Sequence, residues 1–105
     1  MSDVRLIERG RMGRVAYARI GRNEDLMQSV EKLCVAEGFG NAFVRGALGS
    51  LIDACLERPD GSCQVIRGPA VEVVSLAGEV RRQPDGTLRA ALTGVVADTQ
   101  GRVYG

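Results

Sequence analysis

Histidine is absent from this 105-residue sequence, and aromatic residues make up only 4% of it. Without histidine, a single chain cannot build a Ser-His-Asp or Cys-His catalytic triad, and the common histidine-based zinc sites are excluded as well. The few aromatic side chains leave little surface on which the bases of a single-stranded nucleic acid stack. Most hydrolase mechanisms are therefore excluded, whereas chemistry based on carboxylates or arginine stays open.

Long apolar runs are also missing. No segment approaches the ~20 apolar residues that a membrane helix needs, and the N-terminus has no apolar segment of the signal-peptide type. A hydrophobic content of 45% and a charged content of 26% are typical of globular proteins. We therefore expect one cytoplasmic domain with one core and no contact with a membrane.

Cysteine is sparse. Cys34, Cys55 and Cys63 are odd in number and contain no Cys-x-x-Cys spacing, so neither a zinc knuckle nor a disulfide framework is indicated. Free cysteine is among the most buried residue types. We expect all three thiols to be reduced and buried.

Charge is nearly balanced overall but unevenly distributed. The net charge is +1, yet residues 1–22 contain six arginines and two acidic residues and so carry a net charge of +4. Such a basic segment is able to contact phosphate, which makes Arg9, Arg11 and Arg14 candidates for nucleic-acid contacts. The alternative is that these arginines only keep an exposed segment solvated.

The clearest local pattern is a helix that begins after residue 22. Asn23 is a favourable N-cap, and Gly38 suits the left-handed position after the last turn. The apolar stripe with helical spacing, which predicts the buried side, comprises Leu26, Met27, Val30, Leu33 and Cys34. The exposed side is predicted to hold Glu24, Gln28, Glu31, Lys32 and Glu37.

Strands are expected on both sides of this helix. Residues 15–20 form the first predicted strand, and residues 41–48 form the second. Because the helix connects them, we expect these two strands to pair in parallel through a right-handed crossover.

Turn sequences divide the rest of the chain into antiparallel hairpins. Pro-Asp-Gly occurs twice, and it favours turns because proline presets φ and glycine accepts a positive φ. The first of these turns is expected to place Cys63 near Cys55 across its hairpin. The predicted strands are residues 51–58, 62–67, 70–82 and 88–97, with turns at residues 59–61, 84–86 and 98–101.

The predicted strand from Ala70 to Arg82 is expected to be the centre of the fold. It is rich in valine and leucine, which suit a pleated, buried surface. Alternation gives it two mostly apolar faces, so we predict an interior strand covered on both sides. The fold class is therefore α/β in the broad sense (α+β), a single domain with a mixed, largely antiparallel sheet and one main helix packed on it.

Four motifs occur in a recognisable order. They are Asn-Glu-Asp-Leu at residues 23–26, Val-Arg-Gly-Ala-Leu-Gly-Ser-Leu at 44–51, Gly-Pro-Ala-Val-Glu-Val-Val-Ser-Leu-Ala-Gly at 68–78, and Ala-Asp at 97–98 followed by Gly-Arg-Val at 101–103. Their order and spacing resemble the PPC (plants and prokaryotes conserved) domain family in its prokaryotic stand-alone form. The resemblance spans residues 15–105, so residues 1–14 are predicted to be a loose basic segment.

The resemblance implies a compact α/β fold that assembles as a homotrimer through its sheets. It also implies a DNA-binding or regulatory role without an established catalytic activity. We therefore expect a non-enzymatic regulatory or scaffold module that acts through protein contacts, needs no cofactor, and has further copies of itself and DNA as partners. The alternative is a small-ligand or enzyme site at subunit interfaces that uses Glu72 and arginines.

The sequence departs from the family pattern in three places. Met12 follows the Arg-Gly-Arg of residues 9–11 where an AT-hook needs proline, so a working hook is not expected. Ala91 and Thr93 replace the His-x-His pair of many prokaryotic members, so no metal site is expected. The family's closing strand is missing beyond Gly105, and we expect an oligomer to cover the sheet edge that this leaves.

Glu72 is the main candidate for a ligand-binding or acid/base group, because a lone carboxylate is rarely buried in an apolar strand. Arg67 or Arg45 is its candidate partner. The alternative is a glutamate at the end of a strand that reaches water or a structural arginine.

The other candidates flank this position. Gly49 and Ser50 mark a strand end that either offers backbone N–H groups to an anion or makes a tight bend. Ser75 is interpreted as a small residue where strands or subunits approach each other. Arg81 and Arg82 are candidates for a positive rim that contacts DNA when a trimer brings copies together.

Overall fold

The computed structural model describes residues 3–105 of the chain. Within that range it contains one helix and seven strands, and every pair of strands runs antiparallel. The elements are α1 (Leu26–Glu37), β1 (Ala42–Val44), β2 (Ser50–Leu51), β3 (Ala54–Glu57), β4 (Cys63–Ile66), β5 (Val71–Arg82), β6 (Leu88–Ala97) and β7 (Val103–Tyr104). The α+β class and the single domain are confirmed.

The strand that the valine-rich stretch predicts is the centre of a five-stranded sheet. β5 pairs with β6 on one edge and with both β1 and β2 on the other, and β7 extends the sheet beyond β6. The β5–β6 hairpin is long, because its register runs from Glu72 opposite Ala97 to Arg82 opposite Leu88. The second Pro-Asp-Gly turn closes this hairpin as predicted, with Gly86 at φ 88°.

A β-bulge in β5 changes which side chains face the core. The register against β6 passes from Val73 opposite Val96 to Ser75 opposite Val95, so Val74 is an extra residue. An extra residue reverses the alternation beyond it. Val71 and Val80 therefore lie on the same face, although their numbers differ in parity, and both are fully buried.

The core lies on one face of the sheet and has two parts. At the β5–β6 turn end, Cys34 of α1 packs with Val80 and Ala90. At the other end, the separate β3–β4 hairpin packs on the sheet through a buried cluster of Ala54, Ile66, Val71 and Val96. The helix and the hairpin thus share one face of the sheet.

The opposite face of the five-stranded sheet, which we call the outer face, has no covering layer within residues 3–105. The exposed fraction is 57% for Val74 and 77% for Phe43. The prediction that β5 is covered on both sides is therefore wrong for the single chain, because the helix and the hairpin both pack on the inner face. The side chains of the outer face include Phe43, Ser50, Glu72, Val74, Ser75, Ala77, Glu79, Arg81, Arg89, Ala91, Thr93 and Val95.

The helix begins two residues later than predicted. Asp25 is the N-cap, since its backbone is extended and its Oδ1 accepts a hydrogen bond from Gln28 N at 2.9 Å. Asn23 instead occupies a left-handed conformation with φ 63°. The predicted end is confirmed, because Gly38 has φ 72° and its N–H group binds the last turn.

One residue of the predicted exposed side of α1 is partly buried. Glu31 reaches the backbone of β6, where its Oε2 accepts a hydrogen bond from Ala90 N at 2.8 Å. β7 pairs only with Val96 and Ala97, so no strand of the described residues lies beside this part of the β6 edge. The carboxylate therefore satisfies a backbone donor that would otherwise lack a partner.

The predicted strand at residues 15–20 is absent, and so is its parallel pairing with residues 41–48. The segment is exposed, with Tyr17 94% accessible, and no strand of the sheet pairs with it. β1 pairs with β5 on one side only, so its other edge is available, and residues 15–20 nevertheless stay apart from it.

The prediction for residues 41–58 is correct in type but not in detail. β1 ends at Val44, and residues 45–49 leave the sheet before β2 rejoins β5 in the same register. The expected strand 51–58 is thus divided, because Leu51 belongs to the main sheet and Ala54–Glu57 to the hairpin.

The cysteine prediction is right for one residue and wrong for two. Cys34 is buried and free, whereas Cys55 and Cys63 are exposed and joined by a disulfide bond. The register of the β3–β4 hairpin explains the difference, because Ala54 and Ile66 take the inward positions. The cysteines fall on the alternate, outward positions, near each other as the hairpin turn predicts.

Candidate functional site

Three of the predicted ligand residues meet at the bulge end of the outer face. Ser50 lies directly opposite Glu72 in the β2–β5 ladder, so their side chains share this face. Gly49 precedes Ser50 with φ 132°, and its carbonyl accepts a hydrogen bond from Val73 N at 2.9 Å. Gly49 therefore anchors a bend and offers its carbonyl, not its N–H group, to β5.

Glu72 lies on the surface of the single chain. Its side chain is exposed, and no salt bridge involves it in the part of the chain that the structure describes. Ser75 follows it on the same face after the bulge and is also exposed. The arrangement leaves a carboxylate and two hydroxyl groups facing solvent, where a second molecule can reach them.

Arg67 does not join this group. Its Nη1 lies 3.8 Å from Oδ2 of Asp53, and the Arg67 side chain is 80% exposed. The same aspartate accepts a hydrogen bond from Gly68 N at 2.8 Å through Oδ1. Asp53 thus fixes the entry into β5, a role that sequence reasoning missed.

Among the arginines predicted for nucleic acid, Arg14 is engaged with the helix end. Its Nη2 donates a hydrogen bond of 2.7 Å to the carbonyl oxygen of Glu37, one of the last carbonyls of α1. Its guanidinium carbon also lies 4.6 Å from the ring centroid of Phe39. These contacts attach the N-terminal segment to the helix, and phosphate would have to compete with them.

The other candidate arginines differ in whether they contact other groups of the protein. Arg9 and Arg11 lie in the exposed segment that precedes α1, outside any helix or strand. Arg81 pairs with Glu79 at 2.9 Å on the outer face, and Arg82 donates to the carbonyl oxygen of Gly86 at 3.1 Å. The positive rim at the β5–β6 turn is therefore partly neutralised.

The most ordered carboxylates belong to turns and not to the candidate site. Asp98 Oδ2 accepts hydrogen bonds from Arg102 Nε at 2.9 Å and from the Tyr104 hydroxyl at 3.2 Å. Burial alone would raise the pKa of Asp98, but hydrogen bonds from the Arg102 backbone and side chain outweigh it and lower that pKa. This cluster closes the β6–β7 turn.

The first two hairpin turns repeat one hydrogen-bond pattern. Asp60 accepts from the N–H and hydroxyl groups of Ser62, and Asp85 accepts in the same way from Thr87. The hydroxyl hydrogen bonds are the main reason that the pKa values of both aspartates lie below their usual range. Both aspartates are structural, which agrees with the turns that Pro-Asp-Gly predicts.

Within residues 3–105, neither a metal cluster nor a deep pocket marks an active site. Residues 3–105 hold no group of three or more Cys, Asp or Glu side chains placed to bind a metal ion, and that range has no helix able to cross a membrane. Shallow grooves of about 350 and 320 Å³ lie on α1 and beside β1. Neither groove contains Ser50, Glu72 or Ser75, but the groove beside β1 includes Phe43, Glu79 and Arg81 of the outer face. The outer face is therefore the main candidate surface.

Comparison with known proteins gives one match. A family model, described as the Plants and Prokaryotes Conserved (PCC) domain, matches residues 7–105. No curated protein and no solved structure matches the chain. The family match covers nearly all of the chain, including the helix, the disulfide-bonded hairpin and every strand of the main sheet.

Proposed function

The chain belongs to the Plants and Prokaryotes Conserved domain family, and on that basis we propose that it is a non-enzymatic module that works as a homotrimer. In this proposal the outer face is the surface through which copies meet. The assembled module acts as a scaffold or regulator through protein contacts.

The observation that carries the proposal is the composition of the outer face. Its centre holds small or apolar side chains that are open to solvent, including Val74, Ala77 and Ala91. Exposed apolar surface of this kind is typical of a protein-contact site. Small side chains also allow the backbone of a neighbour to come close.

The charges on the outer face favour a second copy as the occupant. Arg81 and Arg89 lie opposite each other near the β5–β6 turn, whereas Glu72 lies at the far end of β5. Because Glu79 pairs with Arg81, Arg89 is the positive group without an ion pair at the turn end within residues 3–105, and Glu72 is the negative group at the other end. These opposite charges favour attraction between two copies. Head-to-tail contacts between such ends form a ring when the rotation between copies closes, and a trimer is a small ring of this kind. The number three itself comes from the family resemblance.

The mass in solution tests the proposal. We expect light scattering at micromolar concentration to give three times the 11.2 kDa of one chain. Ala77→Arg places a long charged side chain in the centre of the outer face and is expected to reduce the mass to that of one chain.

Ala36→Arg is the matched control, because Ala36 is exposed on α1, away from the outer face. It should leave the trimer intact. A wild-type mass equal to one chain, or equal dissociation by both variants, would contradict the proposal.

A small-ligand site between subunits is the second candidate. It is favoured by one observation: Glu72 and Ser50 are adjacent and exposed on the surface where a second copy would sit. Glu72→Gln separates the two roles. Loss of a co-purifying small molecule from an intact oligomer would support the ligand site, whereas a lower stability alone would support a structural role.

Direct DNA binding is less well supported by the geometry. Arg14, Arg81 and Arg82 each have a protein partner, whereas within residues 3–105 Arg9 and Arg11 have neither a hydrogen bond nor an ion pair to the protein. Gel-shift assays across a salt series test it, because release of counterions predicts that any binding weakens as salt rises. An Arg9→Ala/Arg11→Ala variant should lose that binding.

A further inference from the structure

The β3–β4 hairpin carries two cysteines that the proposed function does not use. Cys55 lies opposite Val65 in the ladder, and Cys63 lies opposite Glu57, so both point to the outward side of the hairpin. Their Cα atoms are 6.0 Å apart, within the range that a disulfide spans.

Exposure distinguishes this pair from the third cysteine. Cys55 and Cys63 are both exposed, whereas Cys34 is only 4% accessible. Burial raises the pKa of the Cys34 thiol, which keeps it protonated and unreactive. A small thiol or disulfide in solution can therefore reach the hairpin pair but not Cys34.

We propose that Cys55 and Cys63 form a reversible redox modification site, which low-molecular-weight disulfides oxidise and low-molecular-weight thiols reduce. The redox state of this site controls the local stability of the β3–β4 hairpin. The site is separate from the outer face and does not depend on the proposed function.

The exchange chemistry needs only a small thiol such as glutathione. Its thiolate attacks one sulfur of the pair, the S–S bond breaks, and the other cysteine leaves as a thiolate that takes up a proton. A second thiolate attacks the mixed disulfide and releases the first cysteine together with the small disulfide. Two small thiols are thus oxidised to one disulfide while the protein disulfide is reduced to two thiols, and oxidation follows the reverse path.

The hairpin is placed to transmit this change to the core. It is a two-stranded sheet of its own, and it contacts the main sheet through Ala54 and Ile66, which pack with Val71 and Val96. A two-stranded hairpin is marginal when it stands alone. Loss of the cross-link is therefore expected to increase local opening of the hairpin more than that of α1 or the β5–β6 hairpin.

Thiol counting across glutathione mixtures tests the redox site. Samples of the whole protein are equilibrated at a series of reduced-to-oxidised glutathione ratios, quenched with acid, unfolded and alkylated, and their intact mass is measured. We expect one alkylated thiol, Cys34, at the oxidised end of the series and three at the reduced end. The Cys55 and Cys63 thiols should appear together, without a species that carries two alkylated thiols. Three thiols at every ratio, one thiol at every ratio, or stable glutathione adducts in place of the internal disulfide would overturn the proposal.

Two variants control the assignment. Cys34→Ser should shift the counts to zero and two without moving the midpoint ratio. Cys55→Ser should abolish the paired change and leave Cys63 to form glutathione adducts. A midpoint that moves with Cys34→Ser, or a paired change that survives in Cys55→Ser, would assign the disulfide to other cysteines and refute the site.

Hydrogen exchange tests the effect on the hairpin. On reduction, amides of Ala54–Glu57 and Cys63–Ile66 should exchange at least about tenfold faster, as expected from losing the restraint on a short loop. Amides of α1 are the internal reference and should not change. A Cys55→Ser/Cys63→Ser variant should match the reduced protein, and equal exchange in the oxidised and reduced forms would contradict the proposed control of the hairpin.

Discussion

Glu31 reaches from the surface of α1 to the part of β6 that no other strand covers. Its hydrogen bond from Ala90 N, at 2.8 Å, is partly buried. Unpaired strand edges favour unwanted pairing with other chains, and natural proteins often block them with charged side chains. Here a helix residue satisfies the backbone donor and places a carboxylate at the edge.

Removal of this acceptor should weaken the fold. Glu31→Ala leaves the Ala90 N–H group without its partner and is expected to lower the free energy of unfolding by about 1–3 kcal/mol, the usual range for a buried donor left unpaired. Denaturant unfolding followed by circular dichroism measures this change. Glu31→Gln keeps an acceptor oxygen and should cost clearly less, and equal losses in the two variants would show that the hydrogen bond is not the cause.

The turn aspartates make stability depend on acid. The pKa values of Asp60, Asp85 and Asp98 are lowered in the folded protein, so folding favours their charged forms. Their contribution is present above the pKa of an unfolded aspartate, about 3.9, and is lost as the pH falls through the lower folded values.

The melting temperature should therefore be steady from neutral pH down to about pH 5 and decline below about pH 4. Thermal unfolding followed by circular dichroism across this range checks the expectation. Thr87→Val removes the hydroxyl hydrogen bond to Asp85 and should make the acid-induced decline smaller. A melting temperature that rises on acidification would contradict the direction of the pKa changes.

Single residues show where reasoning from sequence succeeds and where it stops. Cys34 of the helical stripe is buried as predicted, because the spacing of apolar residues shows which side of a helix faces the core, whereas Met27 at the edge of the same stripe is 40% exposed. The same spacing assigns Glu31 to the exposed side, since it contains no information about an open strand edge nearby. The outward direction of Cys55 and Cys63 follows from the register of the β3–β4 hairpin, which the sequence alone does not specify.

The N-cap of α1 is Asp25 in the structure, whereas the sequence pattern predicts Asn23. Asp25 is expected to contribute as the N-cap, so Asp25→Ala should lower the free energy of unfolding by about 1 kcal/mol. Glu24→Ala removes a neighbouring negative charge without removing the cap and should cost about 0.5 kcal/mol or less. Urea unfolding of both variants measures the difference, and equal effects would place the cap elsewhere.

Whole elements are predictable where one local signal determines them. The bounds of β6 and the three hairpin turns follow from the Pro-Asp-Gly turns, from Gly101 and from the valine-rich strands that these turns join. The bulge at Val74 and the interruption at residues 45–49 depend on how β5 pairs with two partners at once, which no local pattern contains. The strand predicted at residues 15–20 fails for a related reason, since apolar alternation does not supply a partner.

At the scale of the molecule, the layers explain both the fold and the proposed assembly. One helix and one hairpin cover the inner face and leave the outer face open. The sequence shows that β5 has two apolar faces, but it cannot show that both covering elements pack on the same side. The candidate site is predicted in part. Ser50 and Glu72 are both candidates and lie opposite each other in the β2–β5 ladder, whereas Arg67, the predicted partner of Glu72, pairs with Asp53 instead.

The central claim is that copies of the chain cover the outer face, and hydroxyl-radical footprinting of the wild-type protein over a dilution series tests it most directly. Phe43 lies on that face and is 77% exposed in one chain, and Val35 on the exposed side of α1 is 66% exposed. The account predicts that Phe43 is protected at high concentration and becomes labelled on dilution, while Val35 is labelled throughout. Labelling of Phe43 that is as strong at high concentration as at low would contradict it.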